Sequence, residues 1–299
     1  MYINIPGIMA PLPAMMRRHR IIELMLALFP NSQNQWIEYN GSAKAFVNLH
    51  DPETRNVFLK RLFEPNFFKI ATAFLSDGGV YFDGGANFGL CTFGLLPLVD
   101  GSRLLCHMFE ANPILIPYLQ KSCSVHPEVL TSVVHGCLSD RAGFSPFQSS
   151  SKFTGHSRVN SVGEKLIRNI VLDEYIQEYG IEKIRFMKMD IEGQELNAFR
   201  GLSRSLARGI VDGIYFELAS DVLEPYGFMP VQVTEFLGNL GYYLFQPWVG
   251  EANRDTTTTV VLPGREHHEL ALARYIPNPG PIRTDLLAIR RSLLAESHA

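Results

Sequence analysis

Asp83-Gly-Gly-Ala-Asn-Phe-Gly89 and Lys188-Met-Asp-Ile-Glu-Gly-Gln-Glu195 hold the residue types that chemistry needs. Each follows a short apolar run, reaches an acid and turns through glycine toward a helix. In open α/β sheets ligands bind outside the carboxyl ends of the strands, so both segments are expected to face one cleft. Gly85 and Gly89 permit a tight strand-to-helix turn and close approach of backbone to a ligand. Asp83, as the last strand residue, would point its carboxylate into that cleft. Asn87 lies in the same turn and counts with it as a cofactor-binding residue. A dinucleotide site would need G-x-G-x-x-G, with pyrophosphate on the helix N-terminus. Here the glycines are Gly84, Gly85 and Gly89, and an acid at the turn repels pyrophosphate. It accepts a hydrogen bond from an ammonium. S-adenosylmethionine has an α-ammonium and no phosphate, so the local electrostatics favour it over a nicotinamide cofactor.

Glu110 ends the next strand, in Phe109-Glu-Ala-Asn-Pro113, where a carboxylate can accept both ribose hydroxyls of an adenosine. Asn112 beside it is a good helix N-cap. Ser139 and Asp140 close a third strand, within reach of an adenine amino group; an ordinary turn cap is an equal alternative. Lys188 and Asp190 alternate with apolar residues and so share one strand face. Buried charges need partners, and a Lys–carboxylate pair is the plain structural reading for Lys188. Asp190, at the strand end, is placed for acceptor orientation or general-base work. Glu192 and Glu195 are three apart at a helix start: one caps the helix and the other faces the cleft. Glu217 ends a fifth strand on the same rim. Asp190 with Glu217 offers oxygen ligands to a hard cation, but two acids from distant segments are thin grounds, and no metal is expected. His156 is a second candidate base. His267-His268 reads as surface loop.

The elements that position these residues follow from periodicity. A helix is expected over 14–29, a hairpin about Asn40-Gly41, and a helix opened by Asp51-Pro52. Another helix covers 65–75. Strands then alternate with helices from Val80: 80–82, 103–109, 130–138, 184–189, 210–216, 242–245 and 257–262. That pattern implies parallel pairing and right-handed crossovers. Residues 139–165, rich in Ser, Gly and Phe, are expected as a loop or short hairpin over the sheet edge; long connections are often functional. Phe144, Phe147, Phe153, Tyr226 and Trp248 are candidates to line an acceptor pocket. The expected fold is α/β and Rossmann-like: a seven-stranded, mostly parallel class I methyltransferase sheet with helices on both faces. Residues 1–55 form an N-terminal helical and hairpin extension, serving as a lid or oligomer contact. The catalytic domain spans 56–263, and 264–299 is a linker and terminal helix.

The chain has 299 residues, 46% hydrophobic and 19% charged, with net charge −3. A general nucleic-acid surface is not indicated. The cluster Arg17-Arg18-His19-Arg20 reads as a solvated helix end. Ile21–Phe29 is too short to span a bilayer, so no membrane contact is expected. Four cysteines without a C-x-x-C pair suit free thiols in a reducing compartment. No signal-peptide pattern is present, and a cytoplasmic location is the default.

In order and spacing, the segments at 83–89, 109–113, 138–140, 172–175 (Leu-Asp-Glu-Tyr) and 188–195 resemble the FkbM family of S-adenosylmethionine-dependent methyltransferases. The resemblance runs from about Asn56 to Leu262. Ala111 stands where the family often has proline, and Leu90-Cys91 replaces the usual aromatic step after the glycine. The resemblance implies S-adenosyl-L-methionine as cofactor and methyl transfer to a small-molecule acceptor. The usual acceptor is a hydroxyl of a sugar, polyketide or other specialised metabolite. It further implies in-line displacement at the sulfonium methyl; for that step the reading of the strand ends and the insert makes Asp190 the first candidate base and His156 the second, with Lys188, Glu192 and Glu217 around the acceptor. N- or carboxyl-methylation within the family is the alternative. A nicotinamide-dependent oxidoreductase and a non-catalytic cofactor-binding subunit are the rivals from other classes. A homo-oligomer is compatible with all of these.

Overall fold

The computed structural model describes residues 2–9, 19–150, 154–160, 163–247, 257–261, 269–277 and 280–294. The first strands are β1 (Asn34–Tyr39) and β2 (Ala43–Asn48), an antiparallel hairpin that follows helices Ile5–Met9 and His19–Leu28. The strands that follow are β3 (Gly79–Gly84), β4 (Leu104–Glu110), β5 (Leu130–His135), β6 (Cys137–Leu138), β7 (Phe144–Gln148), β8 (Arg158–Val159) and β9 (Lys165–Ile170). Next come β10 (Ile184–Met189), β11 (Val211–Ala219), β12 (Tyr242–Gln246), β13 (Thr257–Val261), β14 (Glu269–Arg274) and β15 (Arg283–Arg290).

The main sheet has nine strands in the order β13-β14-β12-β15-β11-β10-β3-β4-β5. β5, β4, β3, β10 and β11 run parallel; β15, β12, β14 and β13 add antiparallel pairs. Alternate residues of the same strands enter opposite faces. Phe82, Met187 and Phe216 join one apolar cluster, whereas Tyr81, Phe186 and Tyr215 join the other. Such strands, covered on both sides, are apolar without a polar alternate, which is why they read as short continuous runs.

Seven strands were expected and nine are present. β14 lies in a segment expected to be a linker. Residues 284–295, expected as a terminal helix, supply β15, which lies between β11 and β12. Leu286, Leu287, Ala288 and Ile289 are all fully buried, and so short an apolar run does not distinguish strand from buried helix by periodicity. The expected third strand, 130–138, is broken at Gly136. β6 leaves the main sheet and pairs in parallel with β9, and β9 and β8 flank β7 in a small second sheet. Within 139–165, expected as a loop or short hairpin, the described residues supply β7, β8 and the start of β9, paired antiparallel to β7.

The N-terminal hairpin is docked on the domain. The Tyr39 hydroxyl donates to the Leu90 carbonyl at 2.6 Å, and Ser122 Oγ accepts from Phe46 N–H at 2.9 Å. Ile37, Tyr39 and Val47 share a core with Phe88, Phe93 and Leu119. Asp51 caps the helix Pro52–Lys60, its Oδ1 accepting from the Glu53 and Thr54 amides. The helix expected over 14–29 is described from His19 to Leu28. Arg17, Arg18, Phe153, Trp248, His267 and His268 lie outside the described residues. Among the described residues no helix is long and apolar enough to cross a membrane.

Candidate active site

A cavity of about 360 Å³ opens at the carboxyl ends of β3, β4, β10 and β11, bounded on one side by insert residues Phe147, Thr154 and Val159. One half forms around the turn after β3. Gly85 has φ +75°, and a Cβ there would come within 1.9 Å of the Asp190 carbonyl oxygen. Only glycine lets this turn pack against the end of β10. The Gly85 and Ala86 amides both donate to the Phe109 carbonyl at 3.0 Å. Asn87, at φ +52°, donates its N–H to Glu110 Oε2 at 2.7 Å, and Asn112 N–H reaches Oε1 at 2.7 Å. Burial pushes Glu110 up to about 7, against the pull of these two amides. Phe109, Leu138 and Phe147 add apolar wall.

The other half is lined by Glu53, Glu64, Asp190, Glu192, Glu217 and Asp285, gathered from distant parts of the chain. One buried ammonium lies among them. Lys188 Nζ donates to Asp190 Oδ2 at 3.1 Å, and strand register sets Lys188 opposite Asp83. Burial alone would lower the Lys188 pKa, but Asp190, Asp83 and Glu64 hold it well above its usual value, so it stays charged. Arg283 Nη1 donates to Glu217 at 2.7 Å, and the Tyr215 hydroxyl to Asp285 at 2.9 Å. Glu217 and Asp285 face each other across β11 and β15, where like charges repel. Burial raises Glu64 to about 7 despite Lys188, and raises Glu192 to about 8 with help from Asp190 and Glu217. Among the described residues no three His, Cys, Asp or Glu side chains group as a metal site.

The sequence profile of the methyltransferase FkbM domain matches residues 83–244, more than half of the chain. The chain belongs to the FkbM methyltransferase family. Hexuronic acid methyltransferase AglP of Haloferax volcanii is 24% identical over 130 residues, 44% of this chain and 52% of that protein. Methyltransferase FkbM from Methylobacillus flagellatus KT is 17% identical with a TM-score of 0.45, covering 78% of this chain and 52% of that one. The structure of M. jannaschii TYW2 in complex with AdoMet is 10% identical with a TM-score of 0.38, covering 86% and 87%. This chain spans about half the length of the curated relative it matches.

Of the residues singled out in sequence, this FkbM cavity brings together Gly85, Asn87, Glu110, Lys188, Asp190, Glu192 and Glu217. Others do not line it. Asp83 is fully buried; Thr92 Oγ1 donates to its Oδ2 at 2.6 Å, and Oδ1 has no protein partner. β3 runs one residue past Asp83, to Gly84, and Thr92 on the next helix holds the carboxyl inside. Gly89, at φ +75°, serves the helix entry: a Cβ there would meet the Phe93 ring at 2.3 Å. Asn112 caps no helix, since Ile116–Cys123 starts later; its amide reaches the insert at Ser150 O and Ser157 Oγ. Ser139 and Asp140 fall beyond the rim because the strand breaks at Gly136, and Gly136, Cys137 and Leu138 line the cavity instead. His156 lies in the turn Thr154–His156, its side chain outside the described residues. Phe144 is exposed, and Tyr226 donates to the Val159 carbonyl. Glu195 is the turn cap, its Oε1 accepting from the Ile191 and Gly193 amides, while Glu192 faces the cavity.

Glu53, Glu64, Asp285 and Thr154 line the cavity without having been singled out in sequence. Glu53 showed only as a first-turn acid and Glu64 only as the residue before Pro65. Asp285 sat in an expected helix. No local pattern signals that these segments converge.

Proposed function

We propose that this methyltransferase carries a methyl group from S-adenosylmethionine to a hydroxyl of a small acceptor of sugar or polyketide type. The observation that carries the proposal is Asp190: it lies at the junction of the two halves, one carboxylate oxygen on Lys188, the side chain 38% exposed to the cavity. The glycine cradle at Gly85, the buried acid Glu110 and the apolar wall fit a nucleoside-type cofactor. S-adenosylmethionine, when bound, supplies an electrophilic methyl group. Glu110 has lone pairs left beyond its two amide bonds and would hold the ribose hydroxyls. Gly85 and Asn87 would bring backbone close to it, and Phe109, Leu138 and Phe147 would enclose the base. Glu53, whose Oε2 is 3.4 Å from Asn87 Nδ2, takes the place expected of Asp83 opposite an ammonium.

Methyl transfer needs mainly alignment, and a hydroxyl acceptor must also lose its proton as it attacks. Asp190 would receive that proton, and Lys188 fixes the carboxylate that does so. His156 is the second candidate for the same step. The name of the similar hexuronic acid methyltransferase supports a sugar acceptor. One observation favours a second reading: the six-carboxylate lining suits an amine acceptor, which would make the reaction N-methylation.

Calorimetric titration with S-adenosylmethionine, with NAD as control, is the test of cofactor class. Binding of the first and not the second is expected; binding of NAD alone would overturn the proposal. An acceptor screen of matched neutral and amino sugars then separates O- from N-methylation.

A further inference from the structure

Asp51 and Thr154 are 103 positions apart in sequence yet are joined by two hydrogen bonds. Asp51 is 1% exposed and Thr154 5%. Asp51 Oδ1 accepts from Glu53 N at 2.9 Å and Thr54 N at 3.1 Å, the ordinary work of a helix cap. Its second oxygen is free of that work. Oδ2 accepts from Thr154 N at 3.0 Å and from Thr154 Oγ1 at 2.9 Å. The same hydroxyl is 2.9 Å from Asn87 Oδ1, so its single hydrogen is shared between two acceptors. Asn87 holds a left-handed backbone at φ +52° and donates its N–H to Glu110 Oε2 at 2.7 Å. A continuous polar chain therefore runs Asp51–Thr154–Asn87–Glu110. It links the segment before the first matched motif, the insert, the glycine turn and the acid at the end of β4.

We infer that Thr154 is a positioning residue for the cofactor half of the site: held by Asp51, it fixes Asn87 and, through it, the Glu110 carboxylate, and it seats the insert over the cavity. This rests on the methyltransferase function proposed above. Two further ties hold the same insert. Asn112 Nδ2 donates to Ser150 O at 3.1 Å and to Ser157 Oγ at 3.0 Å, and the Tyr226 hydroxyl donates to Val159 O at 2.5 Å. With its ends tied in this way, the insert is seated against β4 and the element around Tyr226. Thr154, between those ties, is the one of these contacts that reaches the glycine turn. The N-terminal extension is then a structural part of the cofactor site and not only a cover for the acceptor.

Thr154→Val keeps the side-chain shape and removes the hydroxyl. The expected result is cofactor affinity weaker by about tenfold, read by calorimetric titration with S-adenosylmethionine. Thr154→Ser keeps the hydroxyl and is expected to stay within about threefold of the unaltered chain. Hydrogen exchange of the free protein gives a readout that needs no cofactor: faster exchange at the Asn87 and Thr154 amides in Thr154→Val, with the strands unchanged. Asp51→Asn provides an independent break, since Oδ1 still caps the helix while an amide group replaces the oxygen that Thr154 N–H needs; the same loss of affinity is expected. Equal affinity in Thr154→Val, Asp51→Asn and the unaltered chain would overturn the positioning role alone. Failure of the unaltered, folded chain to bind S-adenosylmethionine would overturn the methyltransferase proposal and this role with it. Failure of Thr154→Ser to restore affinity would show that shape, not the hydroxyl, matters, and would also overturn it.

Discussion

Glu110 and Glu192 line one cavity and both are pushed toward neutral acidity by burial, yet they are held in opposite ways. Glu110 is fixed by two backbone amides from the turn after β3 and the loop after β4. Glu192 stands among Asp190, Glu217 and Glu195, with Arg283 as the opposing charge. The half proposed for the cofactor is thus organised by backbone, a geometry that costs little to maintain during a reaction. The half proposed for the acceptor is a set of carboxylates whose mutual repulsion is relieved only in part, by Lys188 and Arg283. A ligand rich in hydroxyl or ammonium donors would complete that half; one that brings another carboxylate would aggravate it.

The largest expected effect separates the halves by function. Asp190→Asn should lower turnover by about 10²–10⁴-fold, the range for loss of a general base, while cofactor affinity stays within about threefold. Turnover equal to the unaltered chain would remove Asp190 from that role. Glu110→Gln should do the reverse. An amide offers one acceptor oxygen where two backbone N–H groups need one each, so cofactor affinity should fall by about 10–100-fold, with turnover at saturation less affected. Equal losses in both variants would erase the distinction between halves. A smaller effect would sharpen it: Glu192→Gln should raise KM for an amino-sugar acceptor by about threefold to tenfold and leave a neutral one nearly unchanged. Equal shifts for both acceptors would speak against an electrostatic role.

The smallest effect concerns stability and pH. Glu195 is raised in the folded chain from an ordinary 4.5 to about 7, by burial. Its ionisation is therefore harder folded than unfolded: its contribution is fully present below about 4.5 and is lost as pH rises through about 7. The slope from one such group is at most about 1.4 kcal/mol per pH unit within that window. Glu195→Gln keeps an oxygen for the Ile191 and Gly193 amides and removes the charge. Melting curves at about pH 5 and about pH 8 should show a smaller drop in the variant. An unchanged drop would assign the pH dependence to the other acids that burial raises, Glu53, Glu64, Glu110 and Glu192 among them.

The parallel strands could be read from sequence because their apolar runs stop at acids and glycines, as at Val80–Asp83 and Phe186–Asp190. Lys188 beside Asp190 followed from strand alternation, and the spacing of Glu192 and Glu195 gave one cap and one cleft residue but not which is which; the structure makes Glu195 the cap. What could not be read depended on distance in sequence. β15 has no signature that separates it from a buried helix, and Asp285 came with it. Glu53 and Glu64 are local helix-start residues whose convergence with Asp190 is set by the docking of the hairpin and the helices after it. Asp83 was misplaced for a subtler reason: a one-residue extension of β3 and one threonine on the next helix decide where its carboxyl goes.

The position of β15 has a consequence for how the molecule is made. β12 reaches the parallel strands only through β15, and β14 and β13 reach them only through β12. During synthesis the edge of β11, apolar apart from Asp212 and Glu217, must therefore wait unpaired until residues 283–290 leave the ribosome. An exposed apolar strand edge of this kind is prone to aggregation. Asp285 arrives on that same strand, so a nascent or prematurely ended chain lacking it has neither a complete sheet nor the full carboxylate lining of the cavity. Chaperone dependence of expression, greater for chains stopped before residue 283 than for the full sequence, is the cellular signature this order of assembly should leave.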